Sequence, residues 1–250
     1  ICISNFNMKL YLAGQNGHPW INDNFFDFYR LESYHNIAKK EIKYINNYKS
    51  FLLDSGAFSY MNGATGNGVD WDKYIEDYAN FINKHNIKLF MELDIDSVVG
   101  IKQVERLRVK LEKLTNKKCI PVWHKSRGKD YWLKLVKEYN YVAIGGIVTK
   151  EITSKEYKYF NWFIDTAKKE NCKVHALGFT NLKGLTKYPF YSVDSTSWLS
   201  GNRFGGVYLF DGQTLKKQNK PEGKRVLNKK VAEHNFKEWI KFQKYADKYL

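Results

Sequence analysis

Phe51-Leu52-Leu53-Asp54-Ser55-Gly56-Ala57-Phe58-Ser59 runs three apolar residues straight into an acid and places a glycine two positions later. A strand buried on both faces reads as a continuous apolar run, and an acid followed by glycine marks a tight turn at its end. The same design recurs along the chain. Leu89-Phe90-Met91-Glu92-Leu93-Asp94 and Tyr191-Ser192-Val193-Asp194 end in acids, and Val142-Ala143-Ile144-Gly145-Gly146 ends in a glycine pair. These strand ends are expected to face one pocket.

The runs between them supply the rest of the fold. Lys9 to Gly14 predicts a first strand, Phe25 to Ile45 carries apolar residues at helical spacing, and the strand ending at Asp54 leads through the glycine-rich loop Asn62 to Gly68, whose composition suits a lid. A helix follows from Trp71 to about Asn86, with Asp70 as its N-cap and Trp71, Tyr74, Ile75, Tyr78, Ala79 and Ile82 on one face. Further strands are expected at Leu89 to Asp96, Cys119 to His124, Tyr141 to Gly146, Lys173 to Phe179 and Tyr191 to Asp194. Helices are expected near Ile101 to Leu114, near Tyr131 to Tyr139, from a capping box at Thr153 to Glu156 through Lys169, and from Asn228 to Leu250.

Strands alternating with helices mean parallel pairing through right-handed crossovers. Special residues at the C-terminal end of nearly every strand favour an α/β fold of the (β/α)8 barrel type, filling residues 1–250 as one domain. A doubly wound open sheet, which concentrates such residues at one switch point, is the alternative. Val207 to Phe210 is either the closing strand or, because Phe210-Asp211-Gly212-Gln213 reads as a tight turn, one arm of a hairpin.

Lys and Arg number 41 against 26 acids, a net charge of +15, which suits a polyanionic partner such as nucleic acid; a solvated lysine surface is the plainer reading. Cys2, Cys119 and Cys172 are scattered, so neither a disulfide framework nor a thiolate metal site is expected, and a reducing cytoplasm fits. No apolar run reaches the roughly 20 residues of a membrane span, and no secretion signal is read. Met8, just before the first strand, reads as a native start.

Leu53-Asp54-Ser55-Gly56-Ala57-Phe58, Leu93-Asp94, Ile144-Gly145-Gly146-Ile147, His175-Ala176-Leu177-Gly178 and Val193-Asp194-Ser195 fall in the order and approximate spacing of the tRNA-guanine transglycosylase superfamily. From Leu53 to about Asn219 the chain most resembles its short phage and bacterial members, the DNA 7-deazaguanine transglycosylases. The resemblance implies a pentosyltransferase that exchanges guanine in nucleic acid, DNA favoured over tRNA, for a base such as 7-cyano-7-deazaguanine. It would act in the cytoplasm of a bacterium or a phage-infected host, and a homodimer stays open.

Exchange without hydrolysis asks for a carboxylate that attacks C1′ and holds the sugar, and for a separate proton carrier. The resemblance assigns attack to Asp194 and acid/base work to Asp54, which favours a raised pKa. Asp94 would accept hydrogen bonds from the guanine edge, the Gly145 and Gly146 backbone would approach the base carbonyl, and Phe58 or Leu177 would sandwich a base taken out of the stack. Ser55, Gly56 and Gly178 belong to the same substrate-binding set. His124 at its strand end either touches ribose or phosphate or is structural, His175 reads as structural, and Asp96 is an acid at the mouth without an assigned role.

The tRNA enzymes carry a cysteine-rich zinc site after the nucleophile strand. Here no cysteine follows Cys172, so zinc is not expected. The segment 201–225 instead holds Arg203, Lys216, Lys217, Lys220 and Lys224 and resembles a basic hairpin that tracks the phosphate backbone. Two other classes remain: a barrel hydrolase of a small nucleoside or sugar, and a nucleic-acid binder without catalysis.

Overall fold

A computed structural model describes residues 7–14, 19–57, 68–179, 181–199, 206–219 and 228–250. Eight strands, β1 (Lys9–Ala13), β2 (Tyr29–Ser33), β3 (Ser50–Asp54), β4 (Leu89–Phe90), β5 (Val122–Trp123), β6 (Tyr141–Ile144), β7 (Lys173–Ala176) and β8 (Ser192–Ser195), form one curled sheet in the order β4-β3-β2-β1-β8-β7-β6-β5. Every pairing in it is parallel. Its two ends meet through a parallel bridge between Met91 and Ile120, where Glu92 N–H donates to Ile120 C=O at 3.0 Å and Ile120 N–H donates to Phe90 C=O at 2.8 Å. The architecture is barrel-like α/β.

Long helices cover one side of the sheet: α1 (Trp71–Lys84), α2 (Ile101–Thr115), α3 (Gly128–Glu138) and α4 (Phe160–Lys169). The predicted Asp70 cap is present, its carboxylate accepting from Lys73 N–H at 2.9 Å, and Trp71, Ile75, Tyr78, Ala79 and Ile82 are the buried face of α1. Thr153 N–H and Oγ1–H do donate to Glu156 Oε2, both at 3.0 Å, but α4 itself begins later, at Phe160. Elsewhere the connections hold single turns, Pro19–Asn22, Lys39–Ile42 and Leu182–Leu185, and α5 (Asn228–Tyr249) closes that side. Gln243 on α5 donates to Leu10 C=O at 2.6 Å and accepts from Tyr29 N–H at 3.3 Å, so a buried amide satisfies backbone groups of β1 and β2.

The expected helix over Phe25 to Ile45 is not there: this stretch contains β2 and two short turns. Tyr29 and Leu31 point into the barrel with Tyr11, Leu52, Met91, Val122 and Tyr141, while Arg30 and Glu32 point outward and are nonetheless buried. Arg30 donates to Glu41 Oε1 at 2.7 Å, to Leu12 C=O at 2.8 Å and to Gly14 C=O at 2.9 Å, lies over the Trp20 ring, and sits beside Glu32. A guanidinium so paired can be desolvated where a lone one cannot. The strand's alternation of apolar and charged residues therefore carries two buried sets, not one buried and one exposed.

β2 is the eighth strand. Val207 to Phe210 belongs instead to an antiparallel hairpin, β9 (Gly206–Phe210) with β10 (Leu215–Asn219). The hairpin lies on α5: Tyr208 packs on Trp239 and Phe210 on Phe242, while Asn235 Oδ1 accepts Tyr208 N–H at 2.9 Å and Glu238 accepts Phe210 N–H at 2.8 Å. Burying each such aromatic side chain contributes about 1.5–3 kcal/mol, which anchors β9 while the outward side chains of β10 stay exposed.

Candidate active site

Side chains alternate along a strand, so the residues that share the barrel interior are fixed by parity. Asp54 ends β3, Asp194 is paired with the inward Tyr11 on β1, His124 directly follows β5, and Leu177 directly follows β7 against the interior cluster. All lie at the C-terminal ends of the strands, the end at which barrel enzymes build their sites.

Asp54 is half-buried, with Gly56 N–H donating to its Oδ2 at 3.2 Å. The turn after it is held from α1, where Tyr74 donates its hydroxyl to the carbonyl of buried Ser55 at 2.6 Å. Burial pushes the Asp54 carboxyl up to about 7, helped by the negative charges of Asp94 and Asp194, both near enough to oppose its ionisation. The three acids thus converge, and Asp54 exchanges a proton near neutral pH.

Asp94 is buried and bonded through Oδ2 to His124 Nε2 at 3.0 Å; the other ring nitrogen, Nδ1, lies 3.2 Å from Glu151 Oε2. Burial works against a charged ring, but the hydrogen bond and charge of Asp94, with the charge of Asp96 beyond it, raise His124 to about 9. The imidazolium then donates from both nitrogens to flanking carboxylates. A Cβ at Gly145 would stand 2.6 Å from His124 Cε1, so the missing side chain at that glycine makes room for the ring.

Asp194 is buried at the opposite side of the mouth. Its Oδ1 accepts Gly178 N–H at 2.6 Å and lies 3.2 Å from His175 Nε2. Gly178 has φ +67°, and a Cβ there would meet Val148 Cγ2 at 2.2 Å, so only glycine can present this N–H to the acid. His175, expected to be structural, lies beside the acid: it stands in register with Ser192, two residues before Asp194 and on the same face of the sheet.

Asp96 has a partner that its position alone does not disclose. Arg127 donates to Asp96 Oδ2 at 3.0 Å and to buried Glu92 Oε1 at 2.8 Å, and Glu92 also holds Arg108 of α2 at 3.1 Å. Burial opposes the Asp96 charge, yet the hydrogen bond and charge of Arg127 hold its pKa below the usual carboxylate range. This paired network fixes the loop that carries Asp94. Glu151 and Arg127 are thus neighbours of the candidate site that spacing did not single out, and His175 joins them although it reads as structural in the sequence. Glu151 and Arg127 sit in charged loops that read as solvated surface, and His175 lies inside a strand.

Lys216 and Lys217 are exposed on β10, with Lys216 paired to Asp211 at 3.1 Å. Phe58, Arg203, Lys220, Lys224 and the loop 62–67 lie outside the described residues. A recess of about 450 Å³ lined by Lys168, Lys173, Tyr191 and Lys248 opens at the starts of the strands, away from the acids. The converging carboxylates make the C-terminal end of the strands, not this recess, the candidate site. Among the described residues, Cys119 and Cys172 are free and buried, no group of three or more His, Cys, Asp or Glu is placed to hold a metal ion, and no helix is long and apolar enough to cross a membrane. No protein-family model matches the chain, and no curated protein matches it significantly.

Proposed function

We propose that the chain is a base-exchange transglycosylase that replaces guanine in nucleic acid, DNA in preference to tRNA, by a 7-deazaguanine through an ester between Asp194 and the sugar. The observation that carries this reading is the division of labour among converging acids: Asp54 is lifted to about 7, whereas Asp194 receives Gly178 N–H and faces His175. A proton carrier beside an anchored carboxylate is what a double displacement at C1′ needs.

In the first step a lone pair of the Asp194 carboxylate forms a bond to C1′. The electrons of the C1′–N bond leave with guanine, and Asp54 delivers its proton to the departing base. In the second step the incoming base loses its N–H proton to the Asp54 carboxylate, its nitrogen attacks C1′, and Asp194 is released. Asp94, engaged by His124 through Oδ2, keeps Oδ1 for the N–H groups of the base edge. His124, charged at neutral pH, holds Asp94 in place through a charge-assisted bond.

The reading is tested by mass spectrometry of nucleosides from DNA and from tRNA after incubation with isotope-labelled 7-deazaguanine bases. Label in deoxynucleosides is expected. Free guanine released with no label incorporated points to a hydrolase, and label in ribonucleosides alone moves the substrate to tRNA.

The basic segment 201–225 gives a separate expectation. Reversing the charges of Lys216, Lys217 and Lys220 weakens DNA binding and lowers the slope of log K against log salt by about one unit for each phosphate that is no longer neutralised. A slope equal to that of the unaltered protein would show that the hairpin does not meet the backbone.

A further inference from the structure

A chain of buried polar side chains runs behind Asp194, and no step of the exchange moves a proton through it. Tyr141 on β6 bonds through its hydroxyl to Ser192 Oγ on β8, Ser192 Oγ lies 2.6 Å from His175 Nδ1 on β7, and His175 Nε2 lies 3.2 Å from Asp194 Oδ1. His175 and Ser192 are 0 % exposed and Tyr141 6 %, so solvent does not substitute for any member. Polar groups this deep are retained only when each has its partner.

The geometry points to His175 as a positioning residue for the nucleophile, held in one tautomer by Ser192 and Tyr141 so that it pins Asp194 Oδ1 and leaves Oδ2 as the attacking oxygen. The direction of the chain follows from counting protons. Burial raises the Tyr141 phenol well above its ordinary pKa, so it keeps a proton that it can donate to Ser192. An ionised carboxylate only accepts, so the nitrogen that faces Asp194 Oδ1, Nε2, carries the proton of the neutral ring, and Nδ1 is left to accept the Ser192 hydroxyl proton. The opposite tautomer would turn a ring lone pair on Asp194 Oδ1.

Gly178 N–H engages the same oxygen at 2.6 Å. Both donors therefore fix Oδ1, and neither engages Oδ2. When Oδ2 becomes the ester oxygen, Oδ1 becomes a carbonyl that can still accept both bonds, so the anchor persists through the intermediate. The role in attack rests on the transglycosylase reading; the tautomer and the anchor do not.

Two measurements on the full chain test this. In protein labelled with ¹⁵N-histidine, the His175 resonances are expected to show the Nε2–H tautomer, and Tyr141→Phe, which deletes one oxygen, is expected to weaken that preference. In single-turnover trapping with an oligonucleotide and no acceptor base, His175→Leu is expected to slow adduct formation about 10²-fold, the scale of a misplaced reacting group, with oligonucleotide affinity unchanged. His175→Gln, whose side-chain amide can again donate to Asp194, is expected to recover most of that loss. An Nδ1–H tautomer, or His175→Leu forming adduct at the unaltered rate, overturns the proposal, and failure of His175→Gln to rescue a folded protein reduces His175 to packing. If the unaltered protein forms no adduct with any nucleic acid, the transglycosylase reading falls, and the tautomer measurement still decides whether the chain orients Asp194.

Discussion

If the chain is a transglycosylase, Asp194→Ala is expected to form no covalent species with nucleic acid under conditions in which the unaltered protein accumulates one. With an oligonucleotide and no acceptor base, the first half-reaction has nowhere to go after guanine departs, so the ester between Asp194 and C1′ builds up and survives denaturation. Intact-mass measurement then shows protein plus oligonucleotide less one base. Alanine leaves no oxygen in reach of C1′, and the expected loss of exchange is at least about 10⁴-fold, the scale set by deleting a nucleophile. Asp94→Ala behaves differently. It leaves N–H groups of the bound base unpaired, which weakens recognition by about 1–3 kcal/mol, and it also removes one of the two carboxylates that flank His124. Adduct that persists in Asp194→Ala and disappears in Asp94→Ala would exchange the two roles.

Much of this arrangement is legible in the chain because a parallel strand buried on both faces leaves its polarity for its last residue. Asp54, Asp194 and the pair Gly145-Gly146 stand out against apolar runs for that reason. What escapes is polarity inside an element, whose partner comes from a distant part of the sequence. β2 reads as something else because its outward positions hold Arg30 and Glu32, and Arg30 is made acceptable by Glu41 and by the carbonyls of Leu12 and Gly14. Asp96 is unreadable without Arg127, and His124 without Glu151. His175 lies in the middle of an apolar run, and only the register of β7 against β8 sets it beside Ser192 and Asp194. The hairpin is ambiguous for a different reason: a short apolar strand ending in Asp211-Gly212 is locally the same object whether it closes a barrel or folds back on itself. α5 decides it by offering Asn235 and Glu238 to the β9 backbone.

Asp54→Asn is expected to damage catalysis and strengthen the fold, with both effects arising from the same raised pKa. The carboxyl moves from an ordinary value near 3.8 up to about 7 because burial, and then the charges of Asp94 and Asp194, disfavour its ionised form. Between those two pH values the folded protein holds a proton that the unfolded chain has released. Stability attached to this group is therefore fully present below about pH 4, declines as pH rises toward 7, and levels off above it. An asparagine carries no such penalty. Denaturation midpoints of Asp54→Asn and the unaltered protein should thus converge near pH 4 and separate by pH 8, the variant being more stable by about 1–3 kcal/mol, less than full linkage because the carboxyl is partly open to solvent. The same substitution removes the group proposed to protonate leaving guanine and to accept the proton of the incoming base, so both half-reactions are expected to slow by about 10²- to 10⁴-fold. In the unaltered protein, adduct formation, which on this proposal needs the protonated acid, is expected to decline above about pH 7, and its resolution, which needs the carboxylate, to decline below. A variant that loses activity in only one half-reaction would confine Asp54 to that step, and one that gains no stability at pH 8 would mean that its carboxyl is not held protonated by the fold.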